Sequence, residues 1–146
     1  EPMNRQRNNF VMRLMAVLVL MFGMSMSVNA GNEMKLRKNG VIVGQVLGNG
    51  DVRIGGVVKG KFESNGDIRV AGVVKGKIES NGDIRKNGVV VGKVESNGNI
   101  RKNGVIVGKI ESNGDIRKNG VVIGKVEPLK NRRRVAVMYF FDFFKL

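Results

Sequence analysis

From residue 37 onward the apolar and polar positions recur with a period of sixteen. Units begin at Arg37, Arg53, Arg69, Arg85, Arg101 and Arg117, and residues 101–116 read RKNGVIVGKIESNGDI. Six units cover residues 37–127 and break at Pro128. A fixed period over most of a chain is the signature of a repeat architecture. Each standard unit carries two Asn-Gly pairs, such as Asn103-Gly104 and Asn113-Gly114. Both residues tolerate positive φ, so each pair predicts a tight turn. Between the turns lie β-branched stretches such as Val105-Ile106-Val107. No window sustains a helical period, and the repeats read as all-β.

Three apolar columns run through the units. The first is Val52, Ile68, Ile84, Ile100 and Ile116; the second is Ile42, Val58, Val74, Val90, Ile106 and Val122; the third is Val46, Phe62, Ile78, Val94, Ile110 and Val126. The second and third are four residues apart, which in a regular strand puts them on one face. Between them stands an invariable glycine: Gly44, Gly60, Gly76, Gly92, Gly108 or Gly124. Glycine on an inner face marks a bend or a close backbone approach. Ile54 and Val70 at the second position are accompanied by Lys59 and Lys75 at the seventh; other units have Lys second and Val or Ile seventh. That exchange predicts contact between the two arms of a hairpin. The clean columns favour an elongated β-solenoid of stacked coils, with an antiparallel hairpin meander as the alternative. Stacking coils in register sets Arg over Arg, which is repulsive unless screened or bridged. In either form neighbouring units supply each other's core, and the ends need caps.

The flanks differ from the repeats. Arg5, Arg7 and Arg13 precede an apolar run over 14–22, and Val28 and Ala30 give a small-residue cleavage pattern. This predicts a secretory signal helix over 1–30, cut after Ala30, and an exported protein: periplasmic, outer-surface or secreted. Residues 31–36 read as a short linker. After Pro128 come Arg132, Arg133 and Arg134, then an apolar stretch ending in Tyr139, Phe140, Phe141, Phe143 and Phe144. Residues 128–146 are expected to cap the open end of the repeats with a strand, or to contact a membrane interface.

Composition narrows the chemistry. The chain has 26 Lys+Arg against 12 Asp+Glu, and neither Cys nor His. Disulfides, thiol nucleophiles, Cys/His zinc sites and histidine acid–base catalysis are excluded. Within residues 37–127 there are 17 basic and 9 acidic residues, too few carboxylates for a calcium cage, and no cofactor site or small-molecule substrate is evident. The cations form two columns: Arg37, Arg53, Arg69, Arg85, Arg101 and Arg117, and Lys61, Lys77, Lys93, Lys109 and Lys125. They are the candidate surface for an acidic envelope polymer. Specific nucleic-acid binding is not expected, because stacking aromatics are not interleaved with them.

The cycle IRKNGVIVGKIESNGD, with the N-terminal leader and the YFFDFF tail, resembles uncharacterised secreted repeat proteins of Bacteroidota. The alternation of NGD, NG and a mid-strand glycine looks like MORN repeats, whose resemblance implies hairpin arrays that support membrane or protein contacts. The stretch GDVRIGGVVKGKFESNGDIRVAGVVKGKIES resembles bactofilins, which implies a polymerising β-helical scaffold. Together these readings give the expectation of a non-enzymatic exported structural or adhesive repeat protein, self-associating or acting through an extended β surface. The alternative expectation is a cationic binding module for an acidic envelope polymer, with the membrane surface as a further partner.

Overall fold

The computed structural model describes residues 33–146. The expected signal helix over 1–30 lies outside the described residues. The repeats form twelve strands: β1 (Met34–Lys38), β2 (Val41–Val46), β3 (Asp51–Ile54), β4 (Val57–Phe62), β5 (Asp67–Val70), β6 (Val73–Ile78), β7 (Asp83–Lys86), β8 (Val89–Val94), β9 (Asn99–Lys102), β10 (Val105–Ile110), β11 (Asp115–Lys118) and β12 (Val121–Glu127). One helix follows, α1 (Arg132–Phe140). Each strand pairs antiparallel with its sequence neighbours, and β1 pairs with β12, so the sheet closes into a barrel. The solenoid expectation is therefore overturned, and the hairpin meander holds, closed on itself.

The turn chemistry explains the outcome. Asn103 and Gly104 have φ of 51° and 81°, both left-handed. That is the two-residue turn whose twist matches antiparallel strands, so the chain folds straight back on itself. The second turn of the unit is longer. Gly114 N donates to Glu111 O at 2.9 Å, and Asn113 Oδ1 accepts from Asp115 N at 3.0 Å. The two turn types alternate, so all two-residue hairpin turns, Asn-Gly in most units, lie at one end of the barrel and all the longer turns, Glu-Ser-Asn-Gly in most units, at the other. The linker read over 31–36 is also revised: β1 begins at Met34, and both Met34 and Leu36 are buried.

The second apolar column is corrected as well. In the β3–β4 pair, Val52 faces Gly60 and Arg53 faces Val58, leaving Lys59 in a bulge. The same register shift recurs in each Asn-Gly hairpin, for example between Ile84 and Arg85. An extra residue reverses side-chain parity. The inner glycine and the third column stay inside, while Ile42, Val58, Val74, Val90, Ile106 and Val122 are turned out and exposed. Bulges also bend the sheet, which is what closure requires.

Eight strands already enclose an interior that side chains just fill, so twelve leave room for more. That room is occupied by the C-terminal segment. Val46, Val52, Phe62, Ile68, Ile84, Ile100, Ile110 and Val126 line the wall, and Val135, Ala136 and Val137 of α1 are fully buried among them. A helix buried on all sides is an internal element. Asn131 caps it, its Oδ1 accepting from Arg134 N at 3.1 Å. The expected capping strand is thus a helix that plugs the lumen from within.

Candidate functional site

The aromatic tail meets the repeat glycines one for one. A Cβ on Gly124 would stand 3.0 Å from Tyr139 Cε1, and one on Gly108 would stand 2.6 Å from Phe140 Cζ. Gly92 receives Phe141 in the same way, Gly76 receives Phe143, and Gly60 receives Phe144. Gly44 completes the set, with Leu146 Cδ2 at 3.4 Å from its Cβ direction. The tail therefore circles the lumen in the direction opposite to repeat order, skipping the exposed Asp142 and Lys145. Each ring edge fills a notch that any larger residue would close.

The second-position side chains seal this ring. Lys102 Nζ donates to Phe140 O at 2.9 Å, Lys86 Nζ to Asp142 O at 3.1 Å, and Lys38 Nζ to Leu146 O at 3.3 Å. Phe140 and Phe141 end α1, so Lys102 satisfies a carbonyl that the helix leaves open and complements its negative end. Lys86 also lies 5.1 Å from the Phe143 ring centroid and Lys102 lies 5.7 Å from that of Phe141. Ile54 and Val70 replace Lys where the strands hold Leu146 and Phe144, and there they pack against the core. The Lys exchange read from the sequence thus follows the tail: Lys59 and Lys75 are exposed, not turned to it.

Tyr139 is the only tyrosine in the chain. Its hydroxyl donates to Arg37 O at 2.7 Å, and burial pushes its ionisation above the ordinary value. An acid whose folded pKa is raised favours the native state fully below its unfolded pKa and loses that contribution as pH rises past it. The native chain should accordingly show tyrosinate absorbance only well above pH ~10, with unfolding favoured as pH climbs through that range. Native titration near ~10 would place the phenol in water instead.

The three arginines stand at the other end, where α1 enters. Arg132 Nη1 donates to Ser96 O at 3.3 Å, and Arg133 Nη1 to Glu79 O at 3.4 Å. The Arg134 guanidinium lies 5.5 Å from the Phe62 ring centroid, and burial lowers its pKa. A cavity of about 270 Å³ beside Arg133 and Arg134 is lined by Phe62, Glu63 and Glu79. The aromatic residues read as cap or membrane contact are core: Phe140, Phe141 and Phe143 are all buried.

The two cationic columns lie on the outer wall, and each is matched by acids. Arg69, Arg85, Arg101 and Arg117 place Nε 2.6–2.7 Å from Glu63, Glu79, Glu95 and Glu111. Arg37 reaches Glu127 of the last unit at 3.7 Å, so the pattern continues across the barrel seam. Arg53 is the exception, because Leu47 stands where the other units have Glu. Across the strands, Lys61, Lys77, Lys93 and Lys125 face Asp51, Asp67, Asp83 and Asp115, and Lys109 faces Asn99. The repulsion feared for stacked arginines is thereby relieved. Such exposed pairs contribute little stability, about 0–1 kcal/mol each.

Sequence reasoning missed one surface. Val41, Val57, Val73, Val89, Val105 and Val121 follow the two-residue turns and are 53–63% exposed. With the turned-out second column they form an apolar ring of twelve side chains around one rim. The signal was present as paired β-branched residues after each turn, but only the bulge decides which way they point. Among the described residues no group of three or more acidic side chains could hold a metal ion, and no helix is long and apolar enough to cross a membrane. Set against protein-family models, curated proteins and solved structures, the chain matches none of them.

Proposed function

We propose that the protein is a non-enzymatic, exported structural or adhesive module that acts through the outside of a closed repeat barrel. One observation carries this reading: the lumen, where a barrel of this size would admit a ligand, is filled by the chain's own tail, one residue per repeat glycine. Barrels use a hollow interior for cavities and channels. Here contact is left to the outer wall and the two rims. The repeated Arg–Glu and Lys–Asp pairs offer a regular surface, and the rim ring offers an apolar one. Self-association is the form of action the apolar rim favours. Cell fractionation tests the reading. The chain is expected beyond the cytoplasmic membrane, lacking residues 1–30 and sedimenting in assemblies. A full-length, dispersed cytoplasmic chain would contradict it.

A second reading rests on the cross-strand register. Lys61 faces Arg69, Lys77 faces Arg85, Lys93 faces Arg101 and Lys109 faces Arg117, so cations neighbour each other around the wall. A flexible polyanion could displace the Glu and Asp partners and run along that belt. Binding of this kind weakens steeply with salt.

A further inference from the structure

We propose that the rim at the Asn-Gly end is an isologous self-association face, occupied by the same rim of a second copy. The proposal rests on the structural reading above and names the surface that serves it. Twelve Val and Ile side chains, 42–63% exposed, lie within two residues of the turn tips. Scattered exposed valines are ordinary on a protein surface; a closed ring at one end is not. Fully burying an aliphatic side chain corresponds to roughly 60–120 Å² at the usual transfer coefficient. At the observed exposures the ring offers roughly 400–750 Å² of apolar area. A stable interface removes about 800 Å² per partner, and the ring's apolar area is roughly half or more of that.

The turns decide the occupant. The tips, such as Asn39-Gly40, Gly55-Gly56, Ala71-Gly72 and Asn103-Gly104, carry no charge but are dense in backbone polar groups. To reach a lipid core the valines would have to follow those tips into hydrocarbon, where the amides find no partners. Against another copy the tips of one rim can lie between the tips of the other, where apolar flanks meet and amides find amides. Head-to-tail stacking would instead set the ring on the Glu-Ser-Asn turns, whose exposed residues are polar. A twofold contact brings the same patch together twice. It also brings Lys59, Lys75 and Lys118, exposed near this rim, toward their counterparts. Salt therefore strengthens the association, the reverse of polyanion binding.

Sedimentation velocity of the full chain at low and high salt is the test. A dimer that tightens with salt is expected. Val89 and Val105 are 63% and 62% exposed, so V89K/V105K leaves the core untouched. It should weaken the dimer about 100-fold or more, since like charges would meet in an apolar contact. Ser80→Lys, exposed at the opposite end, should leave the dimer unchanged. V73K/V121K provides a second pair should the first fail to fold. A dimer indifferent to both pairs overturns the rim while leaving the structural reading standing. A monomer at all salt concentrations overturns the rim proposal. So does capture by phosphatidylglycerol vesicles that V89K/V105K abolishes, which would make the occupant lipid. Failure of the structural reading itself appears separately, as a dispersed cytoplasmic chain on fractionation.

Discussion

A chain that stops at Asn131 is expected to lose the barrel altogether. The segment removed contains Val135, Val137, Met138, Phe140, Phe141 and Phe143, all buried. At about 1.5–3 kcal/mol for each large apolar side chain, their burial is worth roughly 9–18 kcal/mol. A domain has only about 5–15 kcal/mol of net stability, so the truncated chain has none to spare. Nothing in the wall can replace the plug, because a twelve-stranded barrel is too wide for its own inward side chains to meet. Chromatography and thermal unfolding followed by circular dichroism check this. Aggregated or unfolded material is expected. A monodisperse truncated barrel with a cooperative melt would show that the repeats close without the tail.

The second large effect is expected at a single hydrogen. Gly92→Ala should cost more than about 3 kcal/mol, at the upper end of overpacking penalties. The added carbon would collide with the Arg101 carbonyl oxygen and stand 2.7 Å from Phe141 Cζ. The carbonyl belongs to a paired strand and the ring is locked in the lumen, so neither can yield cheaply. Gly104→Ala is the comparison. Gly104 has φ of 81° but nothing within 4 Å of its Cβ direction. There the cost is the left-handed backbone alone, about 1–2 kcal/mol. Ala71 shows that the preceding turn position, with φ of 52°, accepts an ordinary side chain, whereas the Gly104 position is glycine in every unit. Denaturant titration of the two variants should separate them clearly. Equal losses would mean that Gly92 does not receive the tail.

These contrasts mark what the residues disclosed and what they withheld. The period, the β class, the tight turns and two of the three apolar columns could be read directly. So could the inward glycine at Gly92 and its equivalents. The second column was misassigned because strict alternation does not hold across a bulge, and one unopposed residue at Lys59 puts Val58 on the opposite face from Gly60 and Phe62. The solenoid lost to the meander because an Asn-Gly pair with both φ values positive commits the next strand to antiparallel pairing. The tail was legible as apolar and aromatic, but its helix was not. Val135, Val137, Tyr139 and Phe140 are weak helix formers, and enclosure by a twelve-stranded wall overrides their preference. The match of six tail residues to six glycines could not be seen until the barrel closed. The charge columns were found correctly as columns, whereas their pairing with Glu and Asp depended on strand register.

The claim on which the whole account depends is that the tail lies inside the barrel and is read by one glycine per repeat. Nuclear Overhauser contacts between labelled Phe rings and glycine α-protons test it most directly. Phe140, Phe141, Phe143 and Phe144 should each contact one glycine, in the order Gly108, Gly92, Gly76 and Gly60, with those α-protons shifted by the ring currents. Rings that contact no glycine, with α-protons at ordinary positions, would place the tail outside the barrel and contradict the account.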